Sequence, residues 1–320
     1  MIRVVWWVAV LQLMCAGAAQ AELRVVVTVK PLHSLVAGVM KGIATPHLIV
    51  KGAANPHAYA LKPSDAAALQ NADLIVRVGS SFERFLEPVL KSGGASAQVV
   101  SLGEIDGLRR LAIRTGAAWG GGHHGTGHGG AGHDGVRHDG AGHDHNLSHD
   151  QFDPHLWLAP QNALGVVDEV AQTLARLAPD KRLELARNAA DMAARIKAME
   201  RAVAGELAPL KGQPFMVFHD AYQYFESAFG LSAVGAVSLG EGRLPGAKRV
   251  RQLRRAIVRR NVVCVFTEPQ FKPKIVDTVI EGTTVRRGVL DAIGADIEAG
   301  PDAYLVLMRR NAKAAVACLQ

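Results

Sequence analysis

The sequence contains few cysteines and few aromatic residues, and it has no long apolar run after its first 21 residues. Only 3 of the 320 residues are Cys, which excludes a small domain stabilised by several disulfides. Beyond residue 21 no segment is long and apolar enough to cross a bilayer, so we do not expect an integral membrane protein. The length is that of two domains of ordinary size.

The chain is basic, with a net charge of +7, but it lacks the pattern of a nucleic-acid interface. Lys and Arg are spread along predicted helices such as 249–260 and are not interleaved with aromatic residues. Solvated helix faces explain this distribution better than contact with a polyanion, so we expect no nucleic-acid partner. Apolar residues make up 49% of the chain, enough for sizeable cores.

The first 21 residues are typical of a secretory signal peptide. A basic start at 1–3 precedes an apolar run at 4–14, and 19–21 supplies the small residues that a signal peptidase requires. We predict cleavage before Glu22 and folding of the mature chain outside the cytoplasm.

Two cysteines remain after that cleavage. Cys264 lies in the apolar run 262–266, and Cys318 lies near the end of the last predicted helix. In an oxidising compartment such a pair is more often bridged than free, so we predict a disulfide. Two separate buried thiols are the alternative.

Apolar, β-branched runs alternate with helical segments in two parts of the chain. In the first part we predict strands at 23–29, 48–50, 74–78 and 98–102, and helices after Pro31, at 63–70 and at 82–90. In the second part we predict strands at 215–218, 231–234, 262–266 and 285–290, and helices at 220–229, 246–260, 272–281 and 301–319. Such alternation favours α/β architecture with parallel sheets flanked by helices.

Two helical segments, at 161–177 and 180–208, separate these parts. The second would be about 40 Å long at 1.5 Å per residue, enough to pass from one domain to the other. We therefore predict two similar α/β lobes joined by one long linking helix. The expected boundaries are 22–178 for the N-terminal lobe, 179–210 for the linking helix and 211–320 for the C-terminal lobe.

Residues 120–149 contain 11 Gly and 8 His and almost nothing apolar. Such a segment buries too little surface to offset its ordering entropy, so we predict a flexible loop. Its imidazoles are mostly neutral at pH 7 and could bind metal weakly, in a collecting or sensing role. A dispensable low-complexity insert is the alternative. These histidines are His123, His124, His128, His133, His138, His143, His145 and His149.

Three histidines outside this loop lie in predicted loop segments, and two of them stand close to the predicted ends of strands. His57 lies just past the strand at 48–50, His219 directly follows the strand at 215–218, and His155 lies in a short loop after Pro154. Asp291 follows the strand at 285–290 in the same way. Ligands of open α/β sheets bind beyond the carboxyl ends of the strands, so these four side chains could form one tetrahedral metal shell between the lobes.

The donor types in this set favour zinc. Neutral imidazoles suit Zn²⁺, whereas Mn²⁺ prefers more oxygen ligands. Spacing alone does not establish that the residues meet, and scattered polar loop residues are the alternative. The other two histidines, His33 and His47, we interpret as ordinary surface or capping residues.

Several short motifs together resemble the metal-binding proteins that serve ABC importers. Within that group the chain is similar to the zinc branch, the ZnuA-like periplasmic proteins, because it carries His219 where manganese relatives usually carry Glu and has a histidine-rich loop. The resemblance covers essentially the whole mature chain. The motifs are 52–59 (GAANPHAY), 61–65 (LKPSD), 69–74 (LQNADL), 153–158 (DPHLWL), 218–222 (FHDAY) and 267–271 (TEPQF).

The resemblance implies a protein that binds Zn²⁺ in a cleft between two lobes and hands it to a membrane permease. It implies a rigid linking helix, a disulfide between Cys264 and Cys318, and an importer that also contains an ATPase subunit. We expect a monomer and no enzymatic activity.

Two positions depart from the family pattern. Pro56 stands where some zinc members have a Glu before the first histidine, and Ala292 follows Asp291 where Pro is usual. The fourth ligand is therefore open between Asp291, which we prefer, and a water molecule.

Two other functions remain as alternatives. One is a manganese carrier, and the other is a zinc hydrolase, since three His and an open position also describe catalytic zinc. The chain has no His-Glu-x-x-His motif, and we interpret Asp220 as a residue that orients His219 rather than as a general base.

Overall fold

This computed structural model describes residues 23–92, 97–114, 152–238, 245–271 and 274–320. The predicted signal peptide and the histidine-rich segment 120–149, with its eight histidines, lie outside these ranges. Within them, every helix is too short or too polar to cross a membrane.

The N-terminal sheet consists of four parallel strands in the order β2-β1-β3-β4. The runs Val-Val-Val and Leu-Ile-Val form β1 and β3 and are buried, as expected of strands covered by helices. The strands are β1 (Val25–Val27), β2 (His47–Leu48), β3 (Leu74–Arg77) and β4 (Gln98–Ser101). The helices are α1 (Lys30–Val39), α2 (Pro63–Gln70), α3 (Glu87–Lys91) and α4 (Pro160–Leu177).

The C-terminal sheet repeats this topology in the order β6-β5-β7-β8, again with parallel strands. The predicted fold of two similar α/β lobes is therefore confirmed. The strands are β5 (Phe215–Val217), β6 (Ala233–Ala236), β7 (Cys264–Thr267) and β8 (Arg286–Val289). The helices are α6 (Gln223–Phe229), α7 (Ala247–Arg259), α8 (Lys274–Ile280) and α9 (Ala303–Leu319).

The predicted long helix is also present. It is α5 (Arg182–Leu207), whose 26 residues span about 39 Å. Its buried side packs against α1, α4 and α9. In α1, a Cβ at Gly38 would come 2.9 Å from Sδ of Met192, so glycine permits the close approach of these two helices. The lobe boundaries at 178 and 210 stay a prediction. The buried residues of α5 are Leu185, Met192, Ile196, Met199, Val203 and Leu207.

The last helix, α9, joins the two parts of the molecule. It packs on both α5 and α1, and the backbone N–H of Tyr304 donates to Oγ of Ser34 at 2.9 Å. The Tyr304 hydroxyl donates to the carbonyl of Trp157 at 3.0 Å. At its other end Cys318 is bonded to Cys264 of β7, which confirms the predicted disulfide.

Candidate metal centre

The structure brings together three of the four predicted ligands. His57, His155 and His219 each offer one nitrogen, and these nitrogens all lie within 4.8 Å of one another. The Nε2 atoms of His155 and His219 are 3.4 Å apart. The three residues come from chain segments far apart in sequence, two before the long helix and one after it. Their arrangement is that of side chains around a common small ligand.

His57 is held by a short turn at the N-terminal lobe. The side-chain oxygen of Asn55 accepts the backbone N–H of His57 at 3.0 Å and so starts the 3₁₀ turn Pro56–Ala58. The imidazole packs edge-on against the ring of Phe82, with 4.5 Å between the ring centroids. Pro56 and Phe82 are buried, which limits the positions that the imidazole can occupy.

His155 is held by a buried carboxylate two residues before it. Oδ1 of Asp153 lies 2.7 Å from Nδ1 of His155 and also accepts its backbone N–H at 3.0 Å. A carboxylate can only accept, so Nδ1 carries the proton and Nε2 is left with its lone pair towards the other histidines.

His219 is held in the same way from a neighbouring strand. It follows β5, which pairs with β7, and Glu268 directly follows β7. Oε1 of Glu268 lies 2.6 Å from Nδ1 of His219. Only 7% of His219 and 3% of Glu268 are exposed, so this bond is shielded from water. Here too Nε2 is the nitrogen available to a metal.

The environment shifts the pKa values of the three imidazoles. Burial, together with the neighbouring histidines, lowers the pKa of His57 to about 2. Burial also holds the pKa of His155 well below its ordinary value. At His219 burial acts in the same direction, but the charge and hydrogen bond of Glu268 outweigh it and raise the pKa. His57 and His155 are therefore neutral at physiological pH, as metal ligands must be.

The cavity between the histidines is very small. Its volume is about 10 Å³, which suits a single ion or water molecule and excludes an organic ligand. Apart from the three histidines, its lining residues are Asn55, Pro56, Glu268, Gln270, Phe271, Ala292 and Ile293.

The fourth predicted ligand, Asp291, is engaged differently. Its Oδ1 accepts the backbone N–H groups of Ile293 at 3.0 Å and Gly294 at 2.9 Å, and its Oδ2 accepts that of Ala295 at 2.6 Å. Gln270 donates to Oδ1 as well, at 3.1 Å. The structure thus does not bring this carboxylate into the group of three histidines. Its role as a ligand stays a prediction.

The interpretation of Asp220 as the residue that orients His219 is wrong. Asp220 turns away from the imidazole and binds the guanidinium of Arg114, while Glu268 bonds Nδ1 of His219 instead. The reason is that both oxygens of Asp220 are bonded by the guanidinium of Arg114, while Glu268 occupies Nδ1 of His219.

His33 and His47 lie apart from the cluster, but only one is near the surface. His33 is 5% exposed within α1, which has no side-chain cap, and its Nε2 lies 3.0 Å from the carbonyl of Pro46, so its interpretation as a surface or capping residue is wrong. His47 is partly exposed and lies 3.2 Å from Oδ1 of Asp65.

Sequence reasoning also missed two residues that hold the site, Asp153 and Glu268. A signal for each was available. Asp153 stands two positions before His155 and belongs to the same motif, DPHLWL. Glu268 directly follows β7, the neighbour of β5.

Two lobes of the same topology, with a buried histidine cluster between them, define a two-lobed metal-binding protein. The model of the family described as "Zinc-uptake complex component A periplasmic" (ZnuA) matches residues 25–318. The chain belongs to this family.

Named relatives agree with that assignment. The "High-affinity zinc uptake system protein ZnuA" of Brucella abortus (strain 2308) is 44% identical over 315 residues, covering 95% of this chain and 94% of that protein. The protein of the same name from Yersinia pestis is 32% identical over 300 residues, covering 94% of this chain and 92% of that protein.

Solved structures share the fold. The periplasmic zinc-binding protein TroA from Treponema pallidum superposes with a TM-score of 0.74 at 22% identity, over 93% of this chain and 99% of that one. A crystal structure of ZnuA superposes equally well, with a TM-score of 0.74 at 22% identity, over 93% of this chain and all of that one.

Proposed function

We propose that this protein is the periplasmic zinc-binding component of an ABC importer. It captures Zn²⁺ between its lobes and delivers the ion to the membrane permease of the importer. The ATPase subunit of the importer drives transport. Membership of the zinc-uptake family and the histidine cluster both support this function. In this proposal the mature protein starts at Glu22 and acts as a monomer.

The observation that carries the proposal is the convergence of His57, His155 and His219 on a cavity of ionic size. Three nitrogen donors suit Zn²⁺ better than Mn²⁺, which prefers oxygen donors. Two of these imidazoles donate Nδ1–H to a buried carboxylate, a common arrangement behind zinc ligands.

The fourth coordination position is filled by Asp291 or by a water molecule. Both oxygens of Asp291 already accept backbone N–H groups, which favours water. In that case Asp291 shapes the loop that contributes Ala292 and Ile293 to the cavity wall.

We further propose a carrier rather than a hydrolase. A hydrolase requires a general base near the metal-bound water. The two carboxylates closest to the cluster, Asp153 and Glu268, each bond a histidine Nδ1 and are therefore committed to holding the ligands. The eight histidines of 120–149 would form a weaker, separate metal-binding loop.

Competition titration of the purified mature protein with Zn²⁺ and Mn²⁺ tests this function. We expect one tight zinc site in the wild type and in a variant lacking 120–149. His219→Ala should lose that site, whereas the control His47→Ala should keep it, because His47 pairs with Asp65 outside the cluster. Manganese binding as tight as zinc binding, or a tight site that survives His219→Ala, would contradict the proposal.

A further inference from the structure

The guanidinium of Arg114 connects the two lobes beside the histidine cluster. Nε of Arg114 lies 3.1 and 3.0 Å from the two oxygens of Asp220, and Nη2 bonds Asp220 as well. The other edge of the same group binds Glu226, with Nη1–Oε2 at 2.8 Å and Nη2–Oε1 at 2.9 Å. Each carboxylate is therefore held in two-pronged geometry, the arrangement that makes Arg–carboxylate pairs strong and directional.

On the N-terminal side, the backbone before Arg114 is bonded to the segment that orients His155. The N–H of Asp153 donates to the carbonyl of Leu111 at 2.8 Å, and Oδ1 of Asp153 lies against Nδ1 of His155. The hydroxyl of Tyr224 accepts the N–H of Leu111 and donates to the carbonyl of Asp153. Hydrogen bonds of Leu111 and Asp153 thus connect the segment that contains Arg114 to His155.

On the C-terminal side, Arg114 binds the turn that contains His219. Asp220 is the next residue after His219, and Glu226 lies in α6, where its Oε2 also accepts the N–H of Ala233 at 2.9 Å. Glu268 holds the same turn through the imidazole and the backbone N–H of His219. The side chains of this ion-pair network are largely buried, with exposures of 18% for Arg114, 22% for Asp220 and 5% for Glu226.

We propose that Arg114 is a positioning residue of the metal site. It fixes the separation of His155 and His219, whose Nε2 atoms are 3.4 Å apart, and in this way slows the release of the bound ion. The inference rests on the proposed function, because it concerns the retention of zinc by that same cluster.

The effect of changing Arg114 on zinc binding depends on whether this residue acts through its charge or through its position. If Arg114 acted only as a nearby positive charge, its removal would strengthen cation binding, and lysine would replace it fully. If it acts through its position, lysine is a poor substitute, because an ammonium group cannot present the planar fork that two carboxylates require.

The experiment measures zinc dissociation by stopped flow against excess chelator, with the dissociation constant from competition titration. We expect Arg114→Lys and Arg114→Met to release zinc at least tenfold faster than the wild type. Glu226→Gln should release zinc severalfold faster than the wild type. It tests the same contact if Arg114→Met does not fold. Wild-type or slower release from Arg114→Lys and Glu226→Gln would overturn the inference.

The control is Arg77→Lys. Arg77 is similarly buried and bonds Glu87 at 2.7 Å and Ser101 at 3.0 Å, both within the N-terminal lobe. Arg77→Lys should lower the thermal stability of the metal-free protein by about as much as Arg114→Lys does. It should leave the zinc dissociation rate within twofold of that of the wild type. Equal effects of both changes on that rate would mean that Arg114 acts only through stability. Absence of tight zinc binding in the wild type would overturn the proposed function together with this inference.

Discussion

Two acidic side chains, Asp153 and Glu268, determine which nitrogen His155 and His219 present to the cavity. Each is 3% exposed, and each accepts both the Nδ1–H and the backbone N–H of its histidine. A buried carboxylate is costly unless its oxygens are hydrogen-bonded, so these bonds compensate part of that cost. At His219 the negative charge of Glu268 also raises the pKa of the imidazole, which strengthens it as a ligand.

The first prediction concerns the loss of one of these charges. Glu268→Gln keeps the shape of the side chain but replaces the carboxylate at Nδ1 of His219 with a neutral acceptor. We expect the zinc affinity to fall by about 10- to 100-fold, the usual cost of removing such a partner, in a competition titration. The exposed Glu104 provides the control, since Glu104→Gln should leave the affinity unchanged. An unaltered affinity in Glu268→Gln would show that the carboxylate is not needed to hold His219.

The second prediction concerns Glu83, a fully buried carboxyl in the N-terminal lobe. It accepts the N–H groups of Val78 and Gly79 and the hydroxyl of Thr28. Burial nevertheless raises the pKa of Glu83 to about 7, from 4.5 in the unfolded chain. The native state thus binds a proton that the unfolded chain releases. The contribution of Glu83 to the free energy of unfolding is complete below pH 4.5 and is lost as the pH rises through 7.

Between pH 5 and pH 8 this group should therefore reduce the free energy of unfolding of the metal-free protein by roughly 2 to 3 kcal/mol. Glu83→Gln cannot titrate, so its urea-unfolding free energy should fall less than that of the wild type over the same range. Glu87→Gln is the control, because Arg77 holds the pKa of Glu87 below its ordinary value and its titration ends at lower pH. Equal losses of unfolding free energy in Glu83→Gln and the wild type would contradict the assignment of this pH dependence to Glu83.

At the scale of helices and strands, the sequence predicted the elements well where one local rule dominated. Helix α2 begins and ends as predicted, because a proline in its first turn marks its start. Strand β6 begins two residues later than predicted, because Gly230 ends α6 in a left-handed conformation (φ 72°) and Leu231 bonds back to Glu226. The predicted helix 82–90 is divided into a 3₁₀ turn, Arg84–Leu86, and α3, which starts at Glu87 with Pro88 in its first turn.

The disulfide gives the third prediction. It closes a loop of 54 residues between β7 and the end of α9, and on the chain-entropy model such a loop is worth about 4 kcal/mol. The double variant Cys264→Ala/Cys318→Ala should lose about this free energy of unfolding in urea titrations. Zinc affinity should be unchanged, because neither cysteine lines the cavity.

The reduced wild-type protein is the matched control, since it retains both side chains but not the bond. It should unfold at nearly the same urea concentration as the double variant. A reduced protein as stable as the oxidised one would show that the bond adds nothing to the stability of the lobe.

At the scale of the whole molecule, the site exists only because both lobes are folded and docked. His57 and His155 come from the N-terminal lobe and His219 from the C-terminal lobe. Alternating strands and helices predicted both sheets, and the rule that ligands bind beyond strand ends predicted where the histidines should meet.

Contacts across the lobes could not be predicted in the same way. The bond from Trp157 Nε1 to the carbonyl of Ala292, at 2.8 Å, and the contacts of Lys30 with the carbonyls of Gly294 and Ala295 depend on how the lobes dock. No local pattern encodes that docking. For the same reason the sequence did not reveal that the Asp291 carboxylate would be engaged by its own loop.

The most direct test of the central claim is anomalous diffraction at the zinc edge from crystals of the mature protein loaded with one equivalent of Zn²⁺. We expect one strong peak about 2.0–2.1 Å from one nitrogen of each of His57, His155 and His219. A principal peak bound by residues of one lobe alone, or distant from these three imidazoles, would contradict the account.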